Sequence, residues 1–411
     1  MTQPQRAFDL IVFGATSFVG RLVCEYLVAA YGVNGSLRWA AAGRSQERLE
    51  RVRAELGEGA AALPLVTADA ADEEALLALC RQTRLVIATV GPYSVHGEPL
   101  VSACARSGTD YCDLAGETPW IRTMIRRYES TAATSGARIV HACGFDSVPS
   151  DLGVHTLQRE AQRRFGEPLD RVRFRVRAAR GGFSGGTVAS ISHVLAQARG
   201  DPGLRRILAD PYSLCPDGHG FTARQPVVSG ASFDARFDAW VAPFLMGPIN
   251  TPVVHRSNAL RGGAYGNGFR YDEAVLTGRG MGGRLRALVL GTGLKMLTIG
   301  LMLRSTRWLL RRLVLPAPGQ GPDRSQRENG FFDLRLAGES VSGARLGLRV
   351  TGDRDPGYGA TARMVAEAAV CLLYEAADEA PAGFPTPAVA MGDALVERLC
   401  ERAGVRFQVT D

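Results

Sequence analysis

Between Phe8 and about Ser150, short apolar runs alternate with longer amphipathic stretches. The runs are FDLIVF (8–13), LRWAAA (37–42), ALPLV (62–66), LVIATV (85–90), TDYCDL (109–114) and RIVHA (138–142). The stretches between them, near 19–30, 45–56, 72–82, 97–107 and 118–135, read as helices. Buried strands alternating with crossover helices predict a parallel, doubly wound sheet, and the near-continuous apolar runs fit strands covered on both faces. After this region the pattern changes. RVRFRVRAAR (171–180) alternates apolar and basic residues, as a half-exposed strand does, and FRYDEAVL (269–276), FFDLRLAG (331–338) and ARLGLRVTG (344–352) follow suit. They predict a second, α+β domain on a mixed or antiparallel sheet. Residues 200–268, rich in Gly, Pro and aromatics, show no period and read as long loops with short elements. A long amphipathic helix over about 358–378, a Pro-rich turn, a short helix and the run VRFQV (405–409) complete the pattern. The expected division is 1–150, 151–354 with the second sheet, and 355–411 as C-terminal helices that return to the first domain.

Residues 284–315 stand apart. The run from Arg286 to Arg304 is strongly apolar, broken by Gly291, Gly293, Lys295 and Gly300 and followed by Trp308 and further arginines. A charge at mid-depth disfavours a spanning helix. The remaining readings are core, the wall of a substrate tunnel, a homodimer interface or a helix lying on a membrane surface.

Composition narrows the classes. Apolar residues make up 46% and charged residues 22%, the values of a globular chain. The net charge of +7 is carried almost wholly by arginine, Lys295 being the single lysine, and no nucleic-acid-binding pattern accompanies it. The eight cysteines form no CxxC pair, so neither a metal site nor a disulfide framework is expected. The short polar N-terminus runs straight into a strand, which predicts no secretory leader and a cytoplasmic protein, with peripheral membrane contact through 284–315 as an option.

The densest local signal is the first strand–turn–helix, FDLIVFGATSFVGRLVCEYL (8–27). Gly14 permits a tight turn and Gly20 close helix–strand packing, while Ala15, Thr16, Ser17, Phe18 and Val19 form the loop and first helical turn whose amides face a pyrophosphate in a Rossmann domain. Ser17 stands where a middle glycine is usual, small enough to admit a phosphate and able to donate to it. The second strand ends in Gly43, Arg44 and Ser45 rather than an acidic residue. Arginine there clamps a 2′-phosphate, so the expected cofactor is NADP(H) rather than NAD. Asp69 after the third strand is placed for the adenine edge or for a helix cap. After the fourth strand, Val90, Gly91, Pro92 and Tyr93 would cover the nicotinamide half, with Tyr93 and His96 as candidate proton donors.

GATSFVG, AAGRS, VGPYSVHGEPLVSAC, GTDYCDLAGE, HACGFDSVPSDLG, GGTVASI, YGATARMVAEAA and TPAVAMGDALVERL together resemble the saccharopine dehydrogenase-like oxidoreductases, in the branch of the mycobacterial trans-acting enoyl reductases. The resemblance covers nearly the whole chain. It implies an NADP-binding Rossmann domain, a second α/β domain, and reduction of a carbon–carbon double bond in a polyketide- or lipid-derived enoyl intermediate. It carries over no catalytic residue.

Reduction of an enoyl thioester needs a hydrogen-bond donor for the enolate oxygen and a proton for the α-carbon. The candidates are Tyr93, His96, His141, Asp146 and Ser147, with Tyr93, Asp146 and Ser147 preferred. The structural alternative is that Ser150 or Asp151 caps the next helix and Asp146 satisfies loop amides. The apolar 284–315 segment suits a lipophilic, carrier-bound acyl substrate and has no purpose for a small amino acid. The alternatives are a saccharopine dehydrogenase-type enzyme acting on C=N or C=O, and a non-catalytic NADP-binding scaffold on a membrane or partner.

Overall fold

The computed structural model describes residues 6–181, 185–302, 321–376 and 380–410. They form two compact units, each with its own sheet. One holds the chain through Phe145 together with Tyr358–Ala403. The other holds the described residues from Asp146 to 302, then Pro322–Gly357 and those from Gly404. The border thus falls at Phe145 rather than 150, and the segment 355–411 is shared out instead of staying together.

The first sheet is six-stranded and wholly parallel, in the order β3-β2-β1-β4-β5-β6. Its strands are β1 (Phe8–Phe13), β2 (Trp39–Gly43), β3 (Leu65–Thr67), β4 (Thr83–Ala88), β5 (Asp110–Asp113) and β6 (Ile139–Val140). Helices α1 (Phe18–Tyr31), α2 (Gln46–Glu55), α3 (Glu73–Gln82), α4 (Tyr93–His96), α5 (Glu98–Ser107) and α6 (Thr118–Ser135) connect them. Leu10, Ile11 and Val12 at the centre are fully buried, as expected of a strand covered on both faces. The helix Thr361–Tyr374 returns to pack on α1, β4 and β5. Its buried Glu367 receives hydrogen bonds from Tyr26, Tyr31 (2.8 Å) and Arg398, which ties in the helix Gly392–Arg402.

The second unit opens with α7 (Val148–Phe165) and builds a mixed seven-stranded sheet, β13-β12-β11-β7-β10-β9-β8. It comprises β7 (Leu169–Arg180), β8 (Ser232–Asp234), β9 (Ala239–Pro243), β10 (Arg270–Gly278), β11 (Phe331–Ser340), β12 (Arg345–Gly352) and β13 (Val405–Thr410). β7 and β10 run parallel and the other pairs antiparallel. The alternation read in 171–180 is real: Val172, Phe174 and Val176 are buried. On the basic face, however, Arg175 is also buried, held by Asp234 at 2.7 Å and Asp272 at 2.6 Å.

Two helices lie where long loops were expected, α9 (Pro202–Ala209) and α10 (Gly247–Leu260), and α8 (Gly185–Ala198) precedes them. α10 gave no period because Asn250 and Pro252–Asn258 are buried, leaving no polar stripe to mark it.

α11 (Gly280–Met302) covers the described part of the apolar segment. It packs on β9, β10 and α8 through a face that buries Ala287, Gly291 and Leu301. The opposite face is open: Leu285 and Val289 are each 63% exposed and Met296 69%. Neither plain core nor a spanning helix describes it, and no helix among the described residues is long and apolar enough to cross a membrane. The remainder of the segment, 303–315, lies outside the described residues.

Candidate functional site

The turn after β1 is built on glycine. Gly14 has φ +89°, and a Cβ there would meet Val90 Cγ2 at 2.5 Å and Thr89 Oγ1 at 2.8 Å. A Cβ on Gly20 would meet the Gly14 carbonyl oxygen at 2.2 Å, so α1 starts hard against the turn. Both positions exclude a side chain, as the phosphate-loop reading requires.

The Gly14 and Ala15 amides donate to the Ala42 carbonyl at 2.9 and 3.1 Å, locking the loop to the end of β2. Ser17 caps α1, its hydroxyl accepting from the Gly20 amide at 2.9 Å, and lies 3.1 Å from the Thr89 hydroxyl. That corrects one expectation: the Ser17 hydroxyl is engaged within the protein rather than left for a phosphate. Thr89, which the sequence reading passed over, is the brace. Its hydroxyl donates toward the Phe13 and Gly14 carbonyls at 3.2 and 3.0 Å. Among the described residues the Thr16 and Val19 amides have no backbone acceptor, which leaves donors at the N-terminal end of α1.

Arg44 follows β2 directly, exposed and without an ion-pair partner among the described residues. Ser45 caps α2 through the Arg48 amide at 3.4 Å. A turn that only glycine can form, helix amides behind it, and an unpaired guanidinium at the adjoining strand end suit a dinucleotide carrying a 2′-phosphate. Gly14–Gly20 and Arg44 would hold that group. Asp69 accepts from the Ala71 amide at 3.0 Å and shapes a local turn, while Asp72 caps α3. The cap of α3 is thus Asp72 and not Asp69, which was the alternative to a place at the adenine edge.

The segment after β4 carries Val90 and a cis Gly91–Pro92 bond and enters the four-residue α4. Tyr93 is buried. Its hydroxyl donates to the Ala88 carbonyl at 3.0 Å and accepts from the Leu114 amide at 3.1 Å. It braces two strand ends, so the expectation of a proton donor loses its geometric basis. Glu117, buried and unforeseen, accepts from the Tyr93 and Ser94 amides at 2.8 and 3.1 Å and fixes α4. His96 is exposed.

At the ends of β5 and β6, His141 Nδ1 lies 2.7 Å from Asp113 Oδ2, and Tyr111 donates to the same oxygen at 3.0 Å. Trp120 and Phe384 close over the imidazole at 5.1 and 5.6 Å between ring centroids. The pair is packed as a buried post between two strands, and its Nε2 is covered.

The second unit begins with Asp146 and Ser147. The Ser147 hydroxyl donates to Asn250 Oδ1 at 3.0 Å and is fully buried. Ser150 and Asp151 do not cap α7, which starts at Val148. Ser150 instead bonds Glu273, and Asp151 accepts from Ser257. Asp146 has no hydrogen-bond partner among the described residues, and desolvation raises its carboxyl to about 6.

Residues 10–140 match the saccharopine dehydrogenase NADP binding domain. A Mycobacterium tuberculosis protein named "Putative trans-acting enoyl reductase" is 44% identical over 420 aligned positions, covering 100% of this chain and 99% of its own. A trans-acting enoyl reductase of Mycobacterium bovis is 40% identical over 97% of both chains, and one of Mycobacterium ulcerans 38% over 97% of both. Among solved structures, saccharopine dehydrogenase (L-Glu forming) from Saccharomyces cerevisiae shares the fold with a TM-score of 0.54 at 13% identity, covering 98% of this chain and 99% of that one. With the sheet order, the glycine turn and full-length relatives agreeing, the chain belongs to the saccharopine dehydrogenase-like, NADP-dependent oxidoreductases, in the branch of the trans-acting enoyl reductases.

Proposed function

We propose that this protein is an NADPH-dependent enoyl reductase acting on a carrier-bound acyl chain made by a separate synthase. The observation that carries this is identity of 40–44% along both units to proteins named trans-acting enoyl reductases, far above the fold-level likeness to the yeast enzyme. Bound NADPH supplies the hydride for the β-carbon of a conjugated C=C. The chain's own residues hold the cofactor and provide a proton. Gly14–Gly20 receive the pyrophosphate at the start of α1, and Arg44 and Ser45 take the 2′-phosphate. Val90–Tyr93 form the wall after β4, with Tyr93 as its brace. Asp146 holds the proton for the α-carbon: it has no hydrogen-bond partner among the described residues, and desolvation raises its carboxyl to about 6, the range a general acid needs. Ser147 serves to position Asn250 rather than to react.

The test is NADPH oxidation with an enoyl thioester, with the saturated product identified by mass. Asp146→Asn should lower turnover roughly 100- to 10,000-fold with NADPH affinity unchanged. Because the raised carboxyl keeps its proton below about pH 6, native turnover should fall as pH rises above that value, and the residual activity of Asp146→Asn should not follow. Native-like turnover in the variant removes Asp146 from the reaction. NADPH binding without oxidation on any thioester or imine would leave the scaffold reading standing.

A further inference from the structure

The second unit contains a cavity of about 730 Å³, within the size range of ligand sites. Pro226, Val228, Phe244 and Leu245 are among the apolar residues of its wall, and Leu294 and Thr298 are the α11 residues in it. Leu294 and Thr298 are four residues apart and share one helix face; the exposed Met296 is opposite it and the exposed Leu288 to one side. The cavity opens to solvent, and an apolar occupant would remove its apolar wall from water.

Most of the polar groups that reach the cavity are engaged within the protein. Asp272 is paired with Arg175. Glu273 accepts from the Ser150 hydroxyl at 2.7 Å, the Tyr271 hydroxyl at 2.6 Å and the Asn250 amide at 3.0 Å. Asn250 in turn is fixed by Ser147 at 3.0 Å. Three donors converge on the buried Glu273 carboxyl, and among the described residues Asp272 Oδ1 alone of the two carboxylates' oxygens has no hydrogen-bond partner, so the interior offers a ligand no free donor. Beyond the Asp272–Arg175 pair and Glu273, the ionisable residues of the lining are Asp210, half-buried, and the exposed Arg224. An occupant that satisfies this lining is hydrocarbon along its buried length and polar only at its outer end.

We infer that the cavity takes the alkyl tail of the acyl substrate, with Leu294 and Thr298 limiting its length. This assignment to a substrate rests on the enoyl-reductase reading, but the binding of a hydrocarbon chain does not. Octanoate, decanoate, dodecanoate and tetradecanoate would be titrated against the whole protein by displacement of the fluorescent fatty acid cis-parinarate. Affinity should rise roughly fourfold per added methylene until the cavity is full. Leu294→Trp and Thr298→Trp, which fill the space, should each weaken tetradecanoate at least about tenfold. NADPH affinity should be unchanged in both, and Leu288→Ser on the exposed face of α11 should bind normally. Both tryptophan variants should keep turnover on crotonyl-CoA and lose it on 2-tetradecenoyl-CoA.

Affinity that is flat with chain length in the native protein overturns the proposal whether or not the variants fold. So does normal tetradecanoate binding in both tryptophan variants, or loss of binding in Leu288→Ser alone. Length-dependent binding with no NADPH oxidation on either thioester would retain a hydrocarbon site but overturn its assignment to a reductase substrate. Oxidation of crotonyl-CoA with flat fatty-acid binding would spare the reductase reading and sink the cavity assignment.

Discussion

Arg44 is exposed beside Gly43 and unpaired among the described residues, whereas Arg51 on the following helix pairs with Glu47. Arg44→Ala should therefore weaken NADPH by on the order of 1.5–3 kcal/mol while leaving NADH nearly unchanged, as titration calorimetry would read directly. Equal weakening of both cofactors, or of neither, would dismiss the 2′-phosphate role. Glu273 gives a second residue-level expectation. Burial outweighs its three donors and raises the carboxyl from the ordinary 4.5 to about 7. The folded state keeps this proton where the unfolded chain has released it, so stability falls as pH rises from about 4.5 to about 7 and is level beyond. The drop is on the order of 3 kcal/mol and should disappear from the pH profile of Glu273→Gln in urea titrations. A variant that keeps the native slope would place the titration elsewhere. What was legible at this scale was local: Gly14 and Arg44 announce themselves within a few residues of a strand end. Glu273 meets Ser150 across 123 positions and Asp113 meets His141 across 28, so their roles exist only after folding. Tyr93 misled for the same reason, since its partner Leu114 belongs to another strand end.

Among the elements, the strands of the first sheet declared themselves because each is an apolar run bounded by turn residues. α10 did not, since a helix buried on all sides carries no periodic signal. α11 was visible as composition but not as geometry: one face packs and lines a cavity, the other stays open. Leu301, 4% exposed, belongs to the packed face, and Leu288, 48% exposed, to the open one. Leu301→Ser should cost about 2–5 kcal/mol and lower the melting temperature clearly. Leu288→Ser should stay within about 0.5 kcal/mol of the native protein. Equal losses in the two variants would mean that the helix is covered on both sides.

At the scale of the whole molecule, the first unit is assembled from two distant stretches of chain. The helix Thr361–Tyr374 supplies cover for α1, β4 and β5, and Arg398 reaches Glu367 from a further helix. A chain stopped after Ser150 should lack this cover. It is expected to show no cooperative melting transition and no measurable NADPH affinity, although every residue of the phosphate loop is present. Cooperative melting with native NADPH affinity would show the N-terminal stretch to be self-sufficient. The second unit is likewise finished late, because β13 pairs with β12 only after the chain has revisited the first unit. This interleaving has a consequence for biosynthesis. As the polypeptide leaves the ribosome, the first sheet waits for its cover until Thr361–Tyr374 has been translated, and the second cannot gain its last strand before Val405–Thr410. The nascent chain must carry partly covered, apolar strands through most of its synthesis. Chaperone dependence during expression, and a sharp yield penalty for premature stops anywhere before Gly404, are the expected signs.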